Sequence, residues 1–390
     1  MTSVNDIHVD IAVIGGGIAG LWLLNRLLSE GYNACLFEAE ALGGYQTVAS
    51  QGMIHGGVKY ALQGKSTEAF ETIADMPDYW RRCLRGEGDV DLSQAKILSD
   101  HFYMWSTDSW WSRLMTFGAS LSLRGRIEKV SRSQRPAIFQ TSSFSGGLYR
   151  LLDVVMDVPS VVKALAENAK DRIFKLDTST AQWQINEQGN AQLKLDSSTV
   201  IHAEQFVLTA GKGNGEILKS LGLKAPKMQL RPLQQVMVKH NNPHPFFGHC
   251  VTSLQETPRL TISSHPMQDG SQVWYLGGTL AEEGVGKSDA QLISDAKIEL
   301  QQMMPWLDLN NAEWHTLPVD RAEPAQPGGK RPDSANIIAA EGCNNLSAAW
   351  PTKLTLAPLL ANQTLSLLNQ KNIKQIIVCI YDKKFAPQMT

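Results

Sequence analysis

The sequence predicts an α/β fold in which a strand, a tight turn, a helix and a second strand open the chain and an antiparallel sheet occupies much of its later part. Three observations carry this expectation. A glycine-rich turn follows a short apolar run near the N-terminus, a helical apolar period follows the turn, and three strand-like runs lie between residues 233 and 277. At 390 residues the chain exceeds one ordinary domain, so two intertwined domains or one large α/β body are expected.

His8 to Ile14 (HVDIAVI) is the apolar run, and it feeds directly into GGGIAG, which sets Gly15, Gly17 and Gly20 in the G-x-G-x-x-G register. Gly15 permits the turn, Gly17 leaves the backbone open to a pyrophosphate, and Gly20 lets the next helix pack on the strand. That helix would aim free N–H groups and a positive dipole end at the anion. Leu21, Leu24, Leu27 and Leu28 recur at helical spacing, Gly31 is placed to end the helix, and Ala34 to Phe37 resume as a strand. Glu38 closes that strand 18 residues beyond Gly20, where an acid accepts hydrogen bonds from an adenosine ribose. A solvated acid after a strand is the plainer reading of Glu38. The unit points to a dinucleotide without separating FAD from NAD.

Composition excludes several other classes. The chain is 43% apolar and 19% charged, with a net charge of −2, which suits a globular core and supplies no basic field for nucleic acid. Five cysteines (Cys35, Cys83, Cys250, Cys343, Cys379) are dispersed without a CxxC pair, arguing against a disulfide framework, a metal site or a dithiol relay. Residues 1 to 10 lack the basic start and apolar stretch of a signal peptide, and no apolar run nears the ~20 residues that span a bilayer. A cytoplasmic protein with reduced thiols is the expectation.

Beyond Glu38, Ala49-Ser50-Gln51-Gly52-Met53 looks like the glycine oxidase segment that runs under a flavin, and Ile54-His55-Gly56-Gly57 is similar to the IHGG of glycerol-3-phosphate dehydrogenases. Asp157-Val158-Pro159 opens a helix expected over Ser160 to Ala169, Gln205 to Gly211 (QFVLTAG) looks like the second cofactor-contacting strand and turn of such flavoenzymes, and Ala348 to Pro358 (AAWPTKLTLAP) resembles their C-terminal loop and helix. On these motifs the chain resembles the D-amino acid oxidase (DAO) superfamily of FAD-dependent oxidoreductases, and most closely bacterial members without a defined substrate. The resemblance implies a Rossmann-like FAD-binding domain of the glutathione reductase type, interleaved with an antiparallel-sheet α+β substrate domain. It divides the chain into an FAD domain of residues 1–62, 145–215 and 325–390 and a substrate or cap domain of residues 63–144 and 216–324. Non-covalent FAD would be held by Gly15, Gly17, Ile18, Ala19, Gly20, Glu38, Ala39, Thr47, Ala49, Ser50, Gln51, Gly52, Met53, Ile173, Ala210, Gly211, Trp350, Thr352, Lys353 and Leu354. The pattern departs from the family at Ala348-Ala349, where the family has Gly-His, and at the bulky Trp350 that follows.

In the expected substrate domain, Leu233 to Lys239, Leu260 to Ser264 and Gln272 to Gly277 read as strands, separated by Asn241-Asn242-Pro243 and Asp269-Gly270 turns. Asp289 to Met304 reads as an amphipathic helix stopped at Pro305. Between Gly64 and Arg135 lie Trp80, Arg81, Arg82, Trp105, Trp110, Trp111 and Arg113. This cluster fits a membrane-surface or partner patch, or, as the preferred reading, a helical cap whose aromatics pack inward or line the substrate mouth.

Three side chains are candidates for chemistry. If Pro351 begins the C-terminal helix, Thr352, Lys353 and Leu354 would offer N–H groups to the flavin N1–C2=O edge, and Lys353 a full charge; a solvent-facing lysine is the alternative. His55 would be a base or substrate contact, against a structural histidine or a covalent flavin link. Arg321 looks like the family arginine that grips a substrate carboxylate, against an internal ion pair. These readings favour hydride transfer from an amine, amino acid or 2-hydroxy acid to flavin N5, with O₂, a quinone or another carrier as electron acceptor. The alternatives are a monooxygenase or macromolecule-modifying flavoenzyme reduced by NAD(P)H, and a flavin-binding protein without turnover.

Overall fold

The structure is a computed structural model that describes residues 5–57, 73–106, 127–251 and 257–373. Its elements form a mixed α/β fold with two large sheets and one small one. In the first sheet, strand Asn5–Ile14 is central. It runs parallel to Ala34–Glu38 on one side and to Thr199–Leu208 on the other. Ile173–Lys175 extends the sheet beyond Ala34–Glu38, and Leu346–Trp350 runs parallel to the end of Thr199–Leu208. The antiparallel strands Gln182–Ile185, Ala191–Lys194 and Asn336–Ala339 complete it.

This sheet is covered by apolar residues on both faces, as its unbroken apolar strands require. On one face the helices Ile18–Ser29, Val158–Asn168 and Ala357–Gln370 enclose a core that includes Trp22, Leu24, Leu165 and Leu360. On the other lie Phe37, Phe206, Leu208 and Trp350. Helix Val158–Asn168 starts two residues before the expected Ser160. Pro159 sits in its first turn, where a missing N–H costs nothing.

The second sheet has the strand order Glu313–Pro324, Met228–His240, Gln272–Gly277, Leu260–Pro266, Phe247–Cys250, Phe102–Ser106, Gly147–Leu151, Ile127–Lys129. Pairing is antiparallel except between Phe247–Cys250 and Phe102–Ser106. Helix Asp289–Met303 packs on it through Leu292, Ala296 and Leu300 against a core with Trp105, Phe246 and Trp274. All three strand expectations between 233 and 277 fall inside observed strands. The long edge strand Glu313–Pro324 was not expected, because Pro318 and Pro324 break the usual signal; at an edge such prolines are tolerated.

The described part of the Gly64 to Arg135 segment is not wholly helical: it contains the α-helix Met76–Leu84, strands that include Phe102–Ser106 and a 3-10 turn at Arg132–Gln134. Trp80 and Trp105 are fully buried, Trp80 against Trp22 at 4.6 Å between ring centroids, so neither forms a surface patch. Trp110, Trp111 and Arg113 lie outside the described residues, as does Cys379. The other four cysteines are buried thiols outside any disulfide. Strand Gly147–Leu151 hydrogen-bonds in the second sheet and helix Met76–Leu84 packs on the first core, so sheet membership crosses the boundaries drawn at 62/63 and 144/145. Among the described residues no helix is long and apolar enough to cross a membrane.

Candidate functional site

A cavity of about 1680 Å³ runs from the ends of the first sheet's parallel strands to one face of the second sheet. Pockets for one small ligand typically measure about 300–1,000 Å³, so this one has room for a dinucleotide and a further molecule. Its first wall is mostly backbone. Gly15 has φ of 110°, and a Cβ there would lie 2.5 Å from the Ala210 backbone. A Cβ on Gly20 would lie 1.9 Å from the Gly15 carbonyl oxygen. The turn therefore admits only glycine at both positions. Gly17 is the extended residue before helix Ile18–Ser29, whose first turn has no acidic residue and no side-chain cap. The Ile18 N–H donates to Thr47 Oγ1 at 3.1 Å. The rest of that helix end, lining the cavity, presents the donors and positive dipole that suit a pyrophosphate.

Glu38 is held rather than merely solvated. One carboxylate oxygen accepts from the Gly16 N–H and the other from the Glu40 N–H at 2.7 Å, which fixes the acid at the mouth of the nucleotide end. Tyr45 and Lys212 flank this end from separate segments, with the Lys212 ammonium 5.2 Å from the centre of the Tyr45 ring. Neither was picked from the sequence, because the contact joins positions far apart in the chain.

Of the expected cofactor residues, all but Gly20 and Ile173 line the cavity. Gly20 acts behind the turn, as its close approach to Gly15 dictates. Ile173 points instead into the core, and Leu176 and Thr178, just past its strand, take the cavity position. The segment Ala49 to Met53 is anchored to the second sheet. Gln51 Nε2 donates to the Tyr275 carbonyl at 2.8 Å, and the Ala49 carbonyl accepts from Gln235 Nε2 at 3.1 Å. Gly52 adopts φ of 69° with the Met156 carbonyl 2.1 Å from where its Cβ would stand.

The C-terminal expectation needs correction. Pro351 does not start a helix: strand Leu346–Trp350 ends there, a 3-10 turn spans Leu354–Leu356, and the helix begins at Ala357. Thr352 takes φ of 61°, and the Lys353 N–H donates to the Pro351 carbonyl at 2.7 Å. The run of open N–H groups expected from Thr352, Lys353 and Leu354 is thus not formed as a helix start. Trp350, Thr352, Lys353 and Leu354 nevertheless line the cavity. The Lys353 side chain is buried rather than solvent-facing and reaches the Asp333 carbonyl at 3.4 Å.

His55 also lines the cavity, and its backbone N–H donates to Thr355 Oγ1 at 3.3 Å. Arg321 stands on the edge strand Glu313–Pro324, with Nε donating to the Arg231 carbonyl at 3.1 Å and one terminal nitrogen 3.5 Å from Glu282. Its side chain is 17% exposed. Burial, reinforced by the charge of Arg231, pushes the guanidinium down to about 10. Arg231 itself is held by Glu323 through two hydrogen bonds of 2.7 and 3.1 Å. Further along this wall stand His249, Thr261 and Tyr275, with His249 Nδ1 2.8 Å from Thr261 Oγ1. Strand alternation could have placed Thr261 and Tyr275 on one face, but nothing in the sequence says which face meets the cavity. Among the described residues no group of three or more His, Cys, Asp or Glu is set to hold a metal ion.

A family model described as "DAO: FAD dependent oxidoreductase" matches residues 10–358. The chain is 44% identical over 369 residues to the FAD-dependent oxidoreductase PA4991 of Pseudomonas aeruginosa, covering 94% of this chain and 93% of that protein. The crystal structure of PA4991 aligns with a TM-score of 0.83 at 37% identity, over 99% of this chain and 97% of that one. Glycine oxidase of Bacillus subtilis is 22% identical over 373 residues, 91% of this chain and 94% of that protein. A structure of L-α-glycerophosphate oxidase from Mycoplasma pneumoniae with FAD bound shares the fold, with a TM-score of 0.65 at 16% identity over 98% of this chain and 100% of that one.

Proposed function

The chain belongs to the DAO family of FAD-dependent oxidoreductases, and on that premise we propose that it oxidises a small amine, amino acid or 2-hydroxy acid by hydride transfer to flavin N5. One observation carries the reading: the glycine turn and the partly buried Arg321 open into the same cavity. The open helix end behind Gly17, the held Glu38 carboxylate and the glycine-only turn fit a dinucleotide diphosphate and ribose. In this reading the first sheet is the Rossmann-like FAD domain of glutathione reductase type, and the second is an α+β substrate domain interleaved with it.

FAD, when bound, supplies the two-electron acceptor. The protein's own tasks are binding and orientation. Arg321 lines the cavity with one terminal nitrogen 3.5 Å from Glu282, and a guanidinium there would take a carboxylate through paired hydrogen bonds. His55 and the buried Lys353, on neighbouring stretches of wall, would set charge near the redox centre. The electron acceptor is O₂, a quinone or another carrier.

Anaerobic mixing of the yellow protein with amino acids, amines, 2-hydroxy acids and NAD(P)H tests the assignment. Bleaching by at least one small acid or amine is expected. Arg321→Met should then weaken that substrate by roughly 10- to 100-fold, the range for a hydrogen-bonded charge pair. Bleaching by NAD(P)H alone would replace this reading.

A further inference from the structure

The placement of the charges around Arg321 selects among ligands. Besides Arg321 itself, the guanidiniums Arg231 and Arg331 and the carboxylates Glu323 and Glu282 act there, with Asp320 one residue before Arg321 in the chain. All but Arg231 and Glu323 line the cavity. Arg231 and Glu323 neutralise each other in a two-bond pair whose acid is fully buried. Arg331 and Asp320 are exposed, where water screens them. The charges left to face a ligand on this wall are Arg321, 17% exposed, and Glu282, 36% exposed.

These two form a loose ion pair, the internal pairing that the sequence left open for Arg321. The shortest approach is 3.5 Å, and no hydrogen bond forms between them, while Glu282 accepts from Thr257 Oγ1 at 3.1 Å. Glu282 stands on the short helix Thr279–Glu283. Gly278 positions that helix: φ is 86°, and a Cβ there would lie 2.4 Å from the Pro258 carbonyl oxygen. The acid's place is therefore built by a glycine-only turn rather than left to a loose loop.

We propose that Glu282 is a specificity-determining residue that makes the Arg321 site a reader of zwitterions, with carboxylate on Arg321 and a neighbouring cation on Glu282. The proposal rests on Arg321 being the carboxylate anchor, as proposed above. A ligand that brings only a carboxylate meets Arg321 with a fixed negative charge beside it and gains little net attraction. A ligand carrying a carboxylate and an ammonium group matches both charges at once. Between the substrate classes left open above, this favours an amino acid over the 2-hydroxy acid of the same skeleton.

The test uses the flavin-loaded enzyme and matched pairs of amino acids and 2-hydroxy acids, with dissociation constants read anaerobically from the perturbation of the flavin absorption bands. In the wild type the amino acid of a pair should bind about tenfold or more tightly. In Glu282→Gln the gap should close to within about threefold, chiefly because the hydroxy acid binds better. Equal binding of a pair in the wild type, or an unchanged gap in Glu282→Gln, would overturn the proposal. Arg321→Met separates the two ideas. If it abolishes ligand binding while Glu282→Gln changes nothing, the anchor stands and the charge filter falls. If ligands bind Arg321→Met as well as the wild type, or no pair binds the wild type, the anchor falls and the filter with it.

Discussion

Along the wall formed by residues 14–52 the groups that meet the cavity are largely backbone: a turn that only glycine can make, a helix end without a side-chain cap, and one carboxylate tied to two N–H groups. Along the opposite wall, the second sheet presents side chains: Arg321, His249, Thr261 and Tyr275. A backbone site fixes few residue types, but those it fixes it fixes absolutely. A side-chain site can be rebuilt residue by residue on unchanged strands. The first arrangement suits a cofactor shared across a family, and the second suits a substrate that differs between its members.

The largest effect should come from breaking the backbone wall. Gly15→Ala must fit a Cβ 2.5 Å from the Ala210 backbone, at a φ of 110° that alanine rarely takes. No side-chain rotation relieves either problem, and the cost is several kcal/mol. The variant should purify colourless, with a flavin-to-protein ratio near zero. Stoichiometric yellow protein would mean that the turn tolerates far more than its geometry implies.

Legibility in the sequence follows the same division. Backbone constraints act between near neighbours, so GGGIAG, Gly31 and Glu38 could be read as one unit before any tertiary contact was known. The Arg321–Glu282 approach depends on an edge strand that two prolines disguise and on a five-residue helix with no periodicity to detect. The burial of Ile173 and the late helix start after Pro351 went unread for a related reason. Resemblance carried a position across, while local packing turned Ile173 inward and a left-handed Thr352 delayed the helix to Ala357. At Ala348 to Trp350, where the sequence was expected to depart from the family, the motif carried no sign of the backbone path that follows.

A second, smaller effect would sharpen the contrast by pH. The second sheet buries His240 beside Trp274 and half-buries His265 against Tyr275. Burial pushes each down to about 4, opposed at His265 by Asp157. The unfolded chain takes up these protons near the ordinary imidazole value of about 6.5, whereas the folded chain resists them. Stability from this source is therefore complete above about pH 6.5 and is lost as the pH falls towards 4. The melting temperature should drop over that window, and His240→Gln, which cannot titrate, should flatten part of the drop. An identical pH profile in His240→Gln would remove that histidine from the account.

The smallest effect concerns a contact between two side chains at the backbone wall. The Tyr45 ring, with its hydroxyl on Glu40, meets the Lys212 ammonium from across the nucleotide end. An exposed cation–π contact contributes about 0.5–1 kcal/mol, which predicts a roughly two- to fivefold faster release of FAD from Tyr45→Ala, read as recovery of free FAD fluorescence after dilution. Lys212→Ala should match it, and the double variant should release FAD no faster than either, because both substitutions remove one contact. Additive effects would show that the two residues hold the nucleotide separately. The backbone wall would then rely on side chains more than the rest of its geometry indicates.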